Sequence, residues 1–371
     1  MKGSVVKKGG SWFCVYRVNG KQKWVKGGVN KKQTEKKLIK IINEINDGSY
    51  KELTESNFTD FSRYWLKTYA QGKLKASTLK SYVDIIEKHL IPYFCSSKLL
   101  NISASNIQEY VSLKLSDGLA PKTVNNHLVP LKEMFKHAVI WGYLRDNPSQ
   151  YVEKPRVEKE EMDFLTPEEI RLFLGEVNGE HYALFMTAVF TGLRRGELLA
   201  LQWGDIEFRT GNIAVRRSLY KGNFTSPKSK SSVRKVVMSP ALAGVLKKHK
   251  FQAMPNKHDL LFVNGVGNTI DADTLVRRQF LPALRRAGIR KIRFHDLRHS
   301  YATLLVSQGE NIKFVQSQMG HSSIQTTLDR YGHLLPEKNA GAGVRLDETI
   351  GIGSTVAQEI SNQGFGNREF C

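Results

Sequence analysis

Four short strings in the second half of the chain carry residue types that phosphoryl-transfer chemistry uses. Thr191-Gly192-Leu193-Arg194-Arg195-Gly196-Glu197-Leu198 comes first, followed by Lys228 in a lysine-serine tract. His295-Asp296-Leu297-Arg298-His299 is next, and Gly320-His321 and Tyr331-Gly332-His333 close the series. Attack on a phosphodiester crowds negative charge onto five-coordinate phosphorus. A guanidinium fork such as Arg194 or Arg298 binds two of the nonbridging oxygens and neutralises that charge. A tyrosine phenol, with a pKa of about 10, must lose its proton during attack, and His295 is a suitable acceptor. Glu197 lies three residues after Arg194, and Arg298 three after His295, so each pair shares a helix face if these segments are helical.

Taken singly, each string also has a bland reading. An arginine after a glycine-containing helix break commonly caps or decorates a surface, and a lone tyrosine commonly packs a core. His295 and His299, four residues apart, have the spacing of a metal-binding pair. No acidic or cysteine ligand follows at zinc spacing, however, and the glutamate of HExxH is absent. Neither a metal nor any other cofactor is expected.

In this order and spacing, the strings together resemble the tyrosine recombinase family, also called the phage integrase or lambda integrase family. The resemblance to its catalytic domain covers roughly residues 160–340. It implies that Arg194, His295, Arg298 and His321 surround the scissile phosphate, that Glu197 supports Arg194, and that Tyr331 is the nucleophile. It further implies a hairpin lysine as general acid for the departing 5′ hydroxyl. Lys228 after Pro227 fits best, while Lys230 and Lys221 stand as alternatives, and His299 and His333 are supporting residues. The implied function is site-specific DNA recombination through a 3′-phosphotyrosyl intermediate, integrating and excising a mobile element without metal or ATP. A covalent link of this kind stores the phosphodiester energy, so a 5′ hydroxyl from another duplex can reseal the strand. The implied partners are double-stranded DNA at core and arm-type attachment sites, three further protomers in a tetramer on DNA, and DNA-bending and directionality accessory proteins. The segment after the tyrosine would pack on a neighbouring protomer. Three readings compete: a type IB topoisomerase-like enzyme, a catalytically silent DNA-binding regulator, and a cellular recombinase resolving chromosome dimers.

Behind these strings stand elements that must position them. The expected class is multidomain and mainly α with small β elements: an arm-type DNA-binding domain at 1–53, a helical core-site DNA-binding domain at 57–150, the catalytic domain at 160–340 and a tail at 341–371. Near the start, Trp12 to Val18 and Lys23 to Val25 are β-prone runs around Asn19-Gly20, a dipeptide suited to a type I′ hairpin turn. Thr34 is read as the N-cap of an amphipathic helix carrying Leu38, Ile41, Ile42 and Ile45. Helical spacing recurs in Phe58, Phe61 and Trp65, in Leu79, Tyr82, Val83, Ile86 and Leu90, and in Val124, Leu128, Leu131 and Phe135. Pro121 suits a first helical turn, whereas Pro130 should bend or interrupt its helix. Residues 147–161, with two prolines and dense charge, read as a linker. Thr166-Pro167-Glu168-Glu169 then opens a helix with a capping box. One β-prone interruption follows, in which Ile213 to Val215 and Val233 to Met238 bracket a basic polar loop from Tyr220 to Ser232.

Bulk properties agree with a polyanionic partner. The 371 residues hold 56 Lys plus Arg against 35 Asp plus Glu, a formal charge of +21. Residues 1–51 alone carry 13 Lys or Arg against 3 Asp or Glu, a net +10 concentrated in the first module. No uninterrupted apolar run approaches the roughly 20 residues of a membrane-spanning helix, and no signal peptide pattern follows Met1. The expected setting is therefore DNA in the bacterial cytoplasm and not a membrane. Cys14, Cys95 and Cys371 are widely separated, without CxxC spacing, and read as structural or incidental thiols.

Overall fold

The computed structural model describes residues 3–48, 50, 52–95, 97–158, 162–225, 233–335 and 342–351. The chain divides into two compact units, Met1–Lys159 and Glu160–Cys371. Both are mainly helical with small antiparallel sheets, as the residue patterns lead one to expect.

The first unit opens with a sheet of three consecutive strands, Ser4–Lys8, Ser11–Val18 and Lys21–Lys26. Asn19 and Gly20 both take positive φ (47° and 78°) in the turn between the second and third strands, which is what a type I′ hairpin demands. The following helix, Lys31–Asn46, packs Leu38 and Ile41 onto Cys14 and Tyr16 of the central strand. Its cap corrects the sequence expectation: Asn30, in extended backbone, accepts from the Gln33 amide at 2.9 Å, and the helix starts before Thr34. Thr34 is instead buried, receiving the Gly28 N–H and donating to the Asn30 carbonyl, both at 2.9 Å.

The rest of this unit is a helical cluster. Phe58–Trp65 and Ala76–Ile85 each continue through a π-helical turn, and Ala104–Ser116 and Pro121–Ile140 follow. Phe58, Phe61, Trp65, Ile86, Leu90, Val124, Leu128, Leu131 and Phe135 are all buried in one core. Of the bend or interruption expected at Pro130, the interruption does not occur: Pro121–Ile140 runs through it, with Pro130 buried. An internal proline costs about 3 kcal/mol, and the apolar side chains packed on both sides of Pro130 offset that loss. Residues 147–161 are only partly linker. Pro148–Tyr151 forms a 3-10 turn, and Val152 is buried in the helical core.

The second unit begins at a capping box: Thr166 accepts from the Glu169 amide while Glu169 reaches back to the Thr166 amide. Helix Gly179–Thr191 is buried almost throughout from Ala183 to Val189. A three-stranded sheet of Ile206–Glu207, Asn212–Val215 and Arg234–Val237 lies beside it in sequence order. The start of the polar loop is a hairpin of its own, in which Ser218–Tyr220 and Asn223–Thr225 pair, while Pro227 to Ser232 lie outside the described residues. Helices Pro240–Gln252, Asp296–Ser307, Ile312–Met319 and Ile324–Tyr331 complete the architecture, with Ala342–Ile350 after them. Among the described residues, no helix is long and apolar enough to cross a membrane.

Candidate active site

Helix Gly179–Thr191 ends where Gly192 turns left-handed, at φ 57°. A Cβ at that position would sit 2.4 Å from Cδ1 of Tyr301, so both conformation and space require glycine. The chain then turns into the short helix Arg195–Leu198 with Arg194 as its N-cap residue. Both oxygens of the buried Glu197 are used on this turn. Oε1 accepts from Nη1 of Arg194 at 2.7 Å, and Oε2 accepts from the Arg194 amide at 3.0 Å. The second guanidinium nitrogen of Arg194 donates to the Gly320 carbonyl at 3.1 Å. Its neighbour Arg195 serves elsewhere, donating to the Ala272 carbonyl and pairing with Asp273.

A second cation comes from helix Asp296–Ser307, which is buried on every side from Asp296 to Thr303. Arg298 within it is 2% exposed. It donates to the Gly192 carbonyl at 2.6 Å and to the Met319 carbonyl. Arg194 and Arg298 thus converge on the adjacent carbonyls of Gly320 and Met319, where helix Ile312–Met319 ends in a left-handed glycine. Burial, then repulsion from Arg194 and Arg234, lowers the Arg298 pKa to about 9, which still leaves it charged at neutral pH. Burial would raise the Glu197 carboxyl, but Arg234 and then Arg194 hold it below its ordinary range.

His321 follows Gly320 directly. Its Nδ1 lies 3.0 Å from Oγ1 of Thr327, which fixes the ring. Burial, followed by the charges of Arg298 and Arg194, pushes its pKa down to about 3, so the ring is neutral. With Nδ1 engaged by Thr327, Nε2 is the ring nitrogen left for a further partner.

Tyr331 closes helix Ile324–Tyr331 and is fully buried, packed with Ala302, Val306, Val315 and Met319. Its hydroxyl lies 2.6 Å from Nδ1 of His299. Burial raises the phenol to about 12, although Arg298 and Arg330 pull the other way. Burial, with the neighbouring His295 next, lowers His299 to about 4, so it is neutral at pH 7. With its proton on Nε2, His299 accepts from the Tyr331 hydroxyl.

The histidine assigned to the phenol by sequence is therefore not the one that touches it. His295 precedes helix Asp296–Ser307 as its N-cap residue, exposed to solvent, and meets His299 ring to ring at 5.1 Å. The surrounding protein and the Arg298 charge nevertheless depress it to about 4. His333 is exposed in the turn Gly332–Leu334. Lys228 and Lys230 lie outside the described residues, and Lys221 sits exposed at the hairpin tip with φ 48°. Among the described residues, no group of three or more His, Cys, Asp or Glu is placed to hold a metal ion.

Sequence reasoning missed Arg234. It is almost wholly buried, donates to Oε2 of Glu197 at 3.0 Å and to the Gln318 carbonyl at 2.7 Å, and has only its place on a β-prone run to distinguish it beforehand.

Comparison with known proteins places this arrangement in a family. Residues 163–338 match the phage integrase family, and residues 57–115 match the phage integrase N-terminal SAM-like domain. The ICEBs1 integrase of Bacillus subtilis is 32% identical over 280 residues, covering 72% of this chain and 76% of that protein. A protein named tyrosine recombinase XerC-like, from Caldanaerobacter subterraneus subsp. tengcongensis, is 30% identical over 358 residues, covering 86% and 90%. Among solved structures, the Tn1549 transposon integrase in complex with a circular intermediate DNA superposes with a TM-score of 0.69 at 23% identity, covering 78% of this chain and 99% of that one. A lambda integrase tetramer bound to a Holliday junction gives 0.59 at 20% identity, covering 86% and 95%. With the four sequence strings, the buried tyrosine and these likenesses in agreement, the chain belongs to the phage integrase family.

Proposed function

We infer that Tyr331 is the covalent nucleophile of DNA strand exchange and that Arg194, Arg298 and His321 are the phosphate ligands around it. The chain is a tyrosine-type site-specific recombinase, the integrase of a mobile element. The observation that carries the assignment of Tyr331 is its hydroxyl, held 2.6 Å from a neutral His299 one residue along the helix from the buried Arg298.

In this reading the phenol oxygen attacks phosphorus, the phosphotyrosyl bond forms and the bond to the 5′ oxygen breaks. The phenol proton passes to a histidine, His299 by geometry, with His295 beside it. Arg194 and Arg298 neutralise the charge that builds on the nonbridging oxygens, and an arginine in such a role is worth about 10³ to 10⁵ in rate. The departing 5′ oxygen takes a proton from Lys228, an assignment that rests on sequence alone. Because Tyr331 is fully buried, attack requires the end of helix Ile324–Tyr331 to shift and present the hydroxyl.

The partners follow the same reading: double-stranded DNA at core and arm-type sites, and a tetramer formed on it in the bacterial cytoplasm, with DNA-bending and directionality proteins as accessories. The Tn1549 integrase solved with DNA and the lambda integrase tetramer on a Holliday junction support the first two. The strongly basic sheet and helix at the start of the chain would serve as the arm-site module, and the helical cluster over 57–150 as the core-site module. Joining of two separate duplexes that carry the flanks of the element is the expected activity. Relaxation of supercoiled plasmid without any joining would favour a topoisomerase.

A further inference from the structure

Arg234 is a buried cation that the chemistry above does not use. It begins strand Arg234–Val237, opposite Val215 in the register. Its side chain is 6% exposed, yet it bridges two segments far away in sequence. Nη2 holds Oε2 of Glu197 at 3.0 Å, and Nε holds the Gln318 carbonyl at 2.7 Å. Its chain also lies against Gly320, where an added Cβ would meet Cδ and Nη1 of Arg234 at 3.0 Å. The same strand is pinned from the other direction, since the Val237 amide donates to Oε1 of Gln318 at 2.9 Å.

We propose that Arg234 is a positioning residue for strand cleavage: it occupies one oxygen of Glu197 and fixes the Gln318–Gly320 turn, so that Arg194 and His321 present to one phosphate. This rests on the reading of Arg194 and His321 as phosphate ligands. The physical reason lies in the sharing of Glu197. A buried carboxylate demands full compensation by charge and hydrogen bonds. With Arg234 on Oε2, Arg194 gives one N–H of Nη1 to Oε1 and one of Nη2 to the Gly320 carbonyl, and its remaining N–H groups can turn to phosphate oxygens. Without Arg234, Glu197 would draw the whole Arg194 guanidinium onto itself. The Gln318 carbonyl would also lose its donor one turn before His321.

The test compares single-turnover cleavage of a nicked duplex bearing either an ordinary phosphodiester or a neutral methylphosphonate at the scissile position, scored per folded molecule. Arg234→Met is expected to keep DNA affinity and to lose about 10- to 100-fold in cleavage of the phosphodiester, a loss of the size seen when the hydrogen-bond partner that orients a metal ligand is removed. The deficit should shrink on the methylphosphonate, which carries less charge for Arg194 to neutralise. Arg194→Ala, run in parallel, should show the same pattern with a larger loss. If Arg234→Met does not fold, Arg234→Lys takes its place. It keeps the charge, but one ammonium cannot reproduce the fork that serves both acceptors, so a smaller deficit of the same kind is expected. An equal deficit on both substrates, or none per folded molecule, overturns the proposal and leaves Arg234 a structural staple. A charge-independent Arg194→Ala result would overturn the phosphate-ligand reading itself, and the proposal with it.

Discussion

At the scale of the residue, the proposed nucleophile Tyr331 and its partner His299 carry most of the chemistry of this reading. The Tyr331 hydroxyl meets His299 in a buried site that raises the phenol and lowers the imidazole, so at neutral pH the proton rests on oxygen. His299→Phe keeps a ring of similar size and removes the acceptor. Adduct formation on a nicked substrate is expected to fall by about 10² to 10⁴, the range for loss of a general base, with DNA affinity unchanged. Cleavage at the parent rate would return that role to His295. Arg194, Arg298, His321 and Tyr331 stand out in the sequence as candidates, because few roles call for two arginines, a histidine and a tyrosine in that order. The contact between His299 and Tyr331 was not, since it depends on how two helices 32 residues apart pack. Nor was the partnership of Glu197 with Arg234, which joins a helix to a strand.

At the scale of the element, helix Asp296–Ser307 shows why periodicity alone is a poor guide to this site. It is buried all round while carrying Asp296, Arg298, His299, Ser300 and Thr303, so it has no apolar stripe to find. Several of these polar groups find partners within the fold. Arg298 meets carbonyls, Ser300 bonds the Asp296 carbonyl and the Leu165 amide, and Asp296 holds Arg293. The helix depends on Gly192, whose left-handed turn lends a carbonyl to Arg298 and lies against Tyr301. Gly192→Ala would bring a Cβ within 2.4 Å of that ring and strain the backbone. A loss of about 1 to 3 kcal/mol is expected in denaturant unfolding, together with weaker cleavage through a displaced Arg298. A fully stable, fully active variant would show that the turn does not position Arg298. Outside the site, local signals read well where the cause was local: the Asn19-Gly20 turn and the Thr166 capping box. They failed at Thr34, where a better cap at Asn30 decided the outcome, and at Pro130 the expected interruption is absent because a large buried face carries the helix through.

At the scale of the whole molecule, two properties follow from charge. The chain carries +21, nearly half of it in its first 51 residues, so DNA binding should weaken steeply with salt, log K falling with a slope near about −0.9 per phosphate neutralised. Its buried histidines set the response to acid. His127, close to the Tyr110 hydroxyl at 2.8 Å and stacked on His89, is lowered to about 4, chiefly by burial and then by His89. His299 falls equally low and His321 to about 3. In the unfolded chain these rings titrate near about 6.5, so between that pH and about 4 the unfolded state binds more protons. Stability is therefore full above pH 6.5 or so and declines as pH falls through that window. Melting temperature should drop steadily from pH 7 to pH 5, and His127→Asn should flatten part of the slope; a flat profile in the parent would show that these rings are not held neutral.

The most direct test of the nucleophile is the trapping of its covalent intermediate. Purified protein, incubated with a nicked duplex from the flanks of its element, should form a protein–DNA adduct that survives SDS and maps to Tyr331. Tyr331→Phe should bind the same DNA and form none. An adduct that persists in Tyr331→Phe, or that maps to another residue, would contradict the assignment.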